Sequence, residues 1–99
     1  MGCVIEIKIE AHQDAVAAYQ YYEDQQLGLG ERFLEVLNET YKSIEQNPTH
    51  YAYIAEDQSN VFRDLWLKKF PYLVVYEIID NTVIVYAVFN VRRHPDSKM

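Results

Sequence analysis

Between Cys3 and Ala11 apolar and polar positions alternate: Ile5, Ile7 and Ile9 fall on one side, Glu6, Lys8 and Glu10 on the other. A period of two with one apolar side predicts a strand with one face on a core. The period then lengthens. In DAVAAYQYYEDQQ, Ala15, Ala18, Tyr19 and Tyr22 share a helical stripe. In ERFLEVLNETYKSIEQNP the stripe is Phe33, Leu37, Tyr41 and Ile44. The intervening LGLG suits a helix C-cap and a tight turn. Pro48 ends the second helix, and Glu31 and Glu35 near its start favour the positive helix end. So short a connection predicts an antiparallel helical hairpin.

The remainder returns to strand character. VFRDLWLKKF reads as a strand, Pro71 marks a turn, and YLVVYEII and TVIVYAVFNV flank the dipeptide Asp80-Asn81. Both residues of that dipeptide tolerate positive φ, which suits a two-residue hairpin. The expected fold is α+β in the order β-α-α-β-β-β, with the helical hairpin on one face of a mostly antiparallel four-stranded sheet. Residues 1–99 form one domain, with no repeat or linker.

If Ile79 pairs with Thr82, simple antiparallel register assigns the faces of the hairpin. One collects Tyr72, Val74, Tyr76, Ile78, Val83, Val85, Ala87 and Phe89; the other Leu73, Val75, Glu77, Ile79, Ile84, Tyr86, Val88, Asn90 and Arg92. Both are apolar, as in strands buried on two sides, yet a single helical hairpin covers only one. The uncovered face predicts an interaction surface, built on Leu73, Val75, Ile84, Tyr86 and Val88 and extended by Phe62 and Trp66 on the preceding strand. The competing expectation is that the tail or the stretch Tyr51–Asn60 folds over it.

Charge narrows the function. The net charge is −6, distributed unevenly. Residues 1–60 carry three basic residues against eleven acids, a balance of −8; residues 61–99 carry six against four, a balance of +2. An acidic chain disfavours direct nucleic-acid binding, which depends on accumulated positive charge. Arg63, Lys68, Lys69, Arg92 and Arg93 could still line a phosphate or carboxylate site, and a basic patch at this end could meet an acidic partner. No apolar run is long enough to span a membrane, and the start does not resemble a signal peptide. The single cysteine, Cys3, forms no internal disulfide and suits a reducing cytoplasm. His12, His50 and His94 lack ligand spacing, so no metal or cofactor is expected. No nucleophile elbow or phosphate loop occurs.

The ordered pattern YYEDQQLGLGERFLEVL, FPYLVVYEI and VIVYAVFNVRRHP resembles the RelE/ParE superfamily of toxins from type II toxin–antitoxin modules, also met as plasmid stabilisation proteins. The resemblance spans the chain and implies the fold above. It also implies a cognate antitoxin that covers the open sheet face by folding onto it, and leaves a homodimer open. The superfamily has an mRNA-cleaving RelE-like branch and a ParE-like branch that inhibits DNA gyrase. Ribonuclease members carry an arginine where this chain has Leu73 and lysines where it has Asp64 and Trp66. They also use a tail tyrosine, absent here after Tyr86; the arginine near the end of the last strand is kept as Arg93. Losing one such charge-stabilising donor costs roughly 10²–10³ in rate, so the resemblance favours the ParE side, although Asn90 stands where that side often has histidine. This implies a toxin that acts by protein binding, with partner-binding residues Phe62, Trp66, Leu73, Val75, Tyr86, Val88, Asn90, Arg92 and Arg93 and no catalytic set. The alternative is a ribosome-dependent mRNA endonuclease with a rearranged site on Arg63, Arg92, Arg93 and His94. A second alternative is a non-toxic protein-binding member.

Overall fold

The first strand is shorter than its alternating pattern. In the computed structural model, which describes residues 4–51, 53 and 61–92, β1 is Val4–Ile7 and the helix α1 is Ile9–Gln25. Lys8 joins them: its N–H donates to the Val85 carbonyl (2.9 Å), closing the ladder, and its carbonyl accepts the His12 N–H (3.0 Å), opening the helix. The sequence expectation of a strand through Ala11 is therefore corrected. Ala11 is in helical phase with Ala15, Ala18 and Tyr22, and the three alanines are buried, whereas Ile9 is 60% exposed. The helical stripe wins because it places three side chains in the core, whereas of the alternating isoleucines only Ile5 packs against it, Ile7 and Ile9 being exposed.

The two glycines of LGLG have different tasks. Gly28 adopts φ +89° between α1 and the helix α2 (Leu29–Gln46), a left-handed turn that a side chain would strain. Gly30 lies inside α2, where a Cβ would meet the Tyr19 carbonyl oxygen at 2.6 Å; its value is close approach of the helices. The Glu23 carboxylate accepts from both N–H groups, at 2.9 Å each. It thereby satisfies orphan donors at the start of α2. Along α2, Phe33, Val36, Leu37, Thr40 and Ile44 are buried.

The sheet order is β1-β4-β3-β2, with β2 at Arg63–Trp66, β3 at Tyr72–Ile79 and β4 at Thr82–Asn90. β1 runs parallel to β4, and the other two pairings are antiparallel, giving a mixed sheet with both helices on one face. β2 stops earlier than VFRDLWLKKF suggests: the Leu67 N–H makes a last cross-strand bond to the Tyr72 carbonyl at 2.9 Å, after which the chain turns through Lys69 (φ +71°) and Phe70 joins Leu67 in the helix-side core. In the β3–β4 hairpin only Asp80 takes positive φ (+55°). The core gathers Phe33, Val36, Leu37 and Ile44 against Val74, Tyr76, Val83, Val85 and Val88. The Tyr76 hydroxyl donates to the Pro48 carbonyl at 2.7 Å, tying the end of α2 to the sheet. At the other end Tyr22, Phe33, Phe70 and Tyr72 form an aromatic cluster with ring centroids 5.0–6.1 Å apart.

The simple hairpin register holds from Ile79↔Thr82 to Tyr76↔Val85, then shifts by one, with Val75 opposite Ala87 and Tyr72 opposite Asn90. Tyr86 is the extra residue of a β-bulge, which sends every later side chain of β4 to the other face. Val88 and Asn90 are thus corrected to the helix side, and Ala87 and Phe89 to the open side. Val88 is 2% exposed.

Candidate functional site

The open sheet face consists of rows across the strands. Trp66, Leu73 and Phe89 are register neighbours, as are Asp64, Val75 and Ala87. Below them Glu77 pairs with Ile84. Tyr86 packs edge-on against Phe62 (5.6 Å) and donates its hydroxyl to the Glu77 carboxylate. That bond, more than partial burial, pushes the Tyr86 phenol above its ordinary pKa. Glu77 is thereby held among apolar neighbours with its charge matched to a donor.

Of the residues expected to meet a partner, Phe62, Trp66, Val75 and Tyr86 share this face. Trp66 is 52% exposed, whereas Leu73, its register neighbour, is fully buried and offers a partner no surface. Val88 and Asn90 lie on the other side: the Val88 N–H donates to Asp14 at 3.1 Å, and the Asn90 amide donates to the Tyr72 hydroxyl at 3.1 Å. Phe89 belongs to the open face instead, a membership visible only once the bulge is known. Arg93 and His94 lie outside the described residues, as does Cys3 and most of the stretch Tyr51–Asn60.

Arg63 serves the fold. Its guanidinium donates to the Tyr51 carbonyl (2.7 Å) and the Tyr53 hydroxyl (2.8 Å), and lies 3.9 Å from the Tyr53 ring centre. Of the alternative set Arg63, Arg92, Arg93 and His94, Arg63 braces the segment after α2 and Arg92 lines a separate groove. The positions where the resemblance would put cations, Asp64, Trp66 and Leu73, adjoin one another on the sheet face away from the helices; of the three only Trp66 is largely exposed, and Leu73 is fully buried.

That separate groove lies on the helix side, at the aromatic end of the hairpin. It encloses about 670 Å³ and is lined by Tyr21, Tyr22, Leu29 and Phe70, with Arg32, Lys69, Asn90 and Arg92 at its polar positions. Of the five basic residues the sequence offered for an anionic site, Lys69 and Arg92 line this groove; Arg32 was not among them, because only the packing of α2 brings it alongside. Asn90 shapes the rim by accepting the Arg92 N–H at 3.0 Å. Burial pushes the Tyr22 phenol up, nearby Tyr72 and Tyr21 add to this, and Arg92 opposes it.

Among the described residues, no group of histidine, cysteine and acidic side chains is placed to hold a metal ion. No described helix is long and apolar enough to cross a membrane.

Residues 5–95 match the family described as the ParE toxin of the type II toxin–antitoxin system, parDE. A solved structure titled as the chromosomal ParDE TA system from P. aeruginosa shares the fold with a TM-score of 0.73 at 17% identity. The match covers 89% of this chain and 95% of that one. No curated protein matches the sequence.

Proposed function

The chain belongs to the ParE toxin family of type II toxin–antitoxin systems, and on that premise we propose that it acts by binding a protein target, DNA gyrase, and is neutralised by a cognate antitoxin laid across the open sheet face. The observation that carries this reading is the composition of that face. Phe62, Trp66, Tyr86 and Phe89 offer aromatic anchors of the kind that dominate binding energies. Asp64, Trp66 and Leu73, side by side, supply no cation to stabilise charge developing on a phosphate. The site suits docking better than RNA cleavage. The acidic balance of the chain agrees with a protein target rather than a nucleic acid.

The experiment is induced expression of the chain alone and together with the short reading frame beside its gene. Growth arrest relieved by that second product, and co-purification of the two, is the expected result. Expression without arrest would instead favour a non-toxic protein-binding member of the family.

A further inference from the structure

The antitoxin contact proposed for the sheet face leaves the basic groove on the helix side unexplained. Acids outnumber bases by 15 to 9 in this chain, yet Arg32, Lys69 and Arg92 meet in one groove with no carboxylate among its described lining residues. They come from three separate elements: α2, the β2–β3 connection and the end of β4. Arg32 also lies 3.3 Å from Glu35, but both side chains are at least half exposed, so that pair is weak and exchangeable. Lys69 holds φ +71°, a conformation that disfavours any side chain. The strained turn sends Phe70 into the core and leaves Lys69 at the rim. Strain retained beside a concave site points to a use for that geometry. The floor is preformed, because Tyr22 and Phe70 are fixed in the aromatic cluster with Phe33 and Tyr72.

We propose that this groove binds an acidic peptide segment of a partner protein, its carboxylates on Arg32, Lys69 and Arg92 and an apolar side chain on Tyr22, Leu29 and Phe70. About 670 Å³ is within the range of roughly 300–1,000 Å³ common for ligand sites and accommodates side chains rather than a lone anion. A nucleic acid fits less well. Its phosphates would meet three cations backed by a chain of charge −6, and such affinity needs many phosphate contacts. The groove and the open face are on opposite sides of the sheet, so this binding is independent of the antitoxin contact proposed above.

The test is selection from a displayed library of short random peptides on the purified protein, followed by titration of the enriched sequences. Enriched peptides should carry at least two carboxylates flanking an apolar residue and lose affinity as salt rises. A triple R32Q/K69Q/R92Q variant should bind them about tenfold more weakly, since each exposed ion pair contributes only a few-fold. Its thermal unfolding should match that of the unmodified protein. Trp66→Ala on the open face should leave these peptides bound, which separates failure here from failure of the antitoxin reading. Enrichment of sequences without acids, equal binding by the triple variant, or tighter binding of a single-stranded oligonucleotide at the groove would overturn the proposal.

Discussion

The Asp14 carboxylate on α1 accepts the backbone N–H of Val88 on β4, 3.1 Å away and 74 positions later in the sequence. The contact solves a problem set by the fold. β1 pairs with β4 only as far as Val85, because the chain turns into α1 at Ile9. Just beyond, the bulge at Tyr86 disrupts the ladder, and Asp14 supplies an acceptor in place of a neighbouring strand. Asp14→Ala should therefore cost about 1–3 kcal/mol, the usual range for a buried donor left unsatisfied, measured by urea unfolding.

The same carboxylate gives a pH signature. Burial raises the Asp14 pKa, Glu10 adds to this, and the Val88 bond opposes it. A carboxyl with a raised folded pKa holds its proton longer in the native state, so its contribution to stability is greatest in acid and declines as pH rises through that window. Asp14→Asn keeps an acceptor and does not titrate. Its stability relative to the unmodified protein should improve between pH 3 and pH 7, as read from paired urea melts.

Two tyrosines, Tyr76 in the core and Tyr41 partly buried against it, predict the alkaline limit. Burial pushes both Tyr41 and Tyr76 from 10.0 to about 12. Between those values the unfolded chain releases protons that the native chain keeps, so stability is lost as pH rises from 10 to 12. Tyr76→Phe should flatten that fall while costing about 1–3 kcal/mol at pH 7, because the Pro48 carbonyl loses its donor.

Gly30→Ala tests the helix crossing. The added methyl would lie 2.6 Å from the Tyr19 carbonyl oxygen, which is backbone and cannot swing away. A loss of about 1–3 kcal/mol is expected from overpacking, against the small gain that alanine brings to an open helix position.

Much of this architecture is legible in the chain. Element order, the helical hairpin and the apolar open face follow from periodicity, and the signature of the family runs through the whole length. The faces of β4 were harder. Tyr86, Ala87, Val88 and Phe89 are all apolar, so a slip of one residue leaves the pattern equally acceptable, and no glycine marks the bulge. The deciding partner, Asp14, lies on α1 and looks like an ordinary surface acid. The end of β1 was hidden differently, because Ile9 satisfies the alternation while Ala11 already belongs to the helix. Arg32 joins Lys69 and Arg92 only through the packing of α2, which no local spacing encodes.

On the open face, Trp66→Ala and Tyr86→Ala should each weaken binding of the cognate antitoxin by about 1–3 kcal/mol, as expected for aromatic anchors, measured by calorimetric titration. Trp66→Ala should barely alter folding, because the side chain is half exposed. Unchanged affinity in both would place the antitoxin elsewhere.

The central claim, a toxin that works by binding rather than by cutting RNA, is tested most directly by adding the purified protein to two reactions in parallel. One is DNA supercoiling by purified gyrase, the other ribosomes translating a defined mRNA. The account predicts that supercoiling is inhibited and restored by the antitoxin while the mRNA stays intact. Cleaved mRNA with unimpaired gyrase would contradict it.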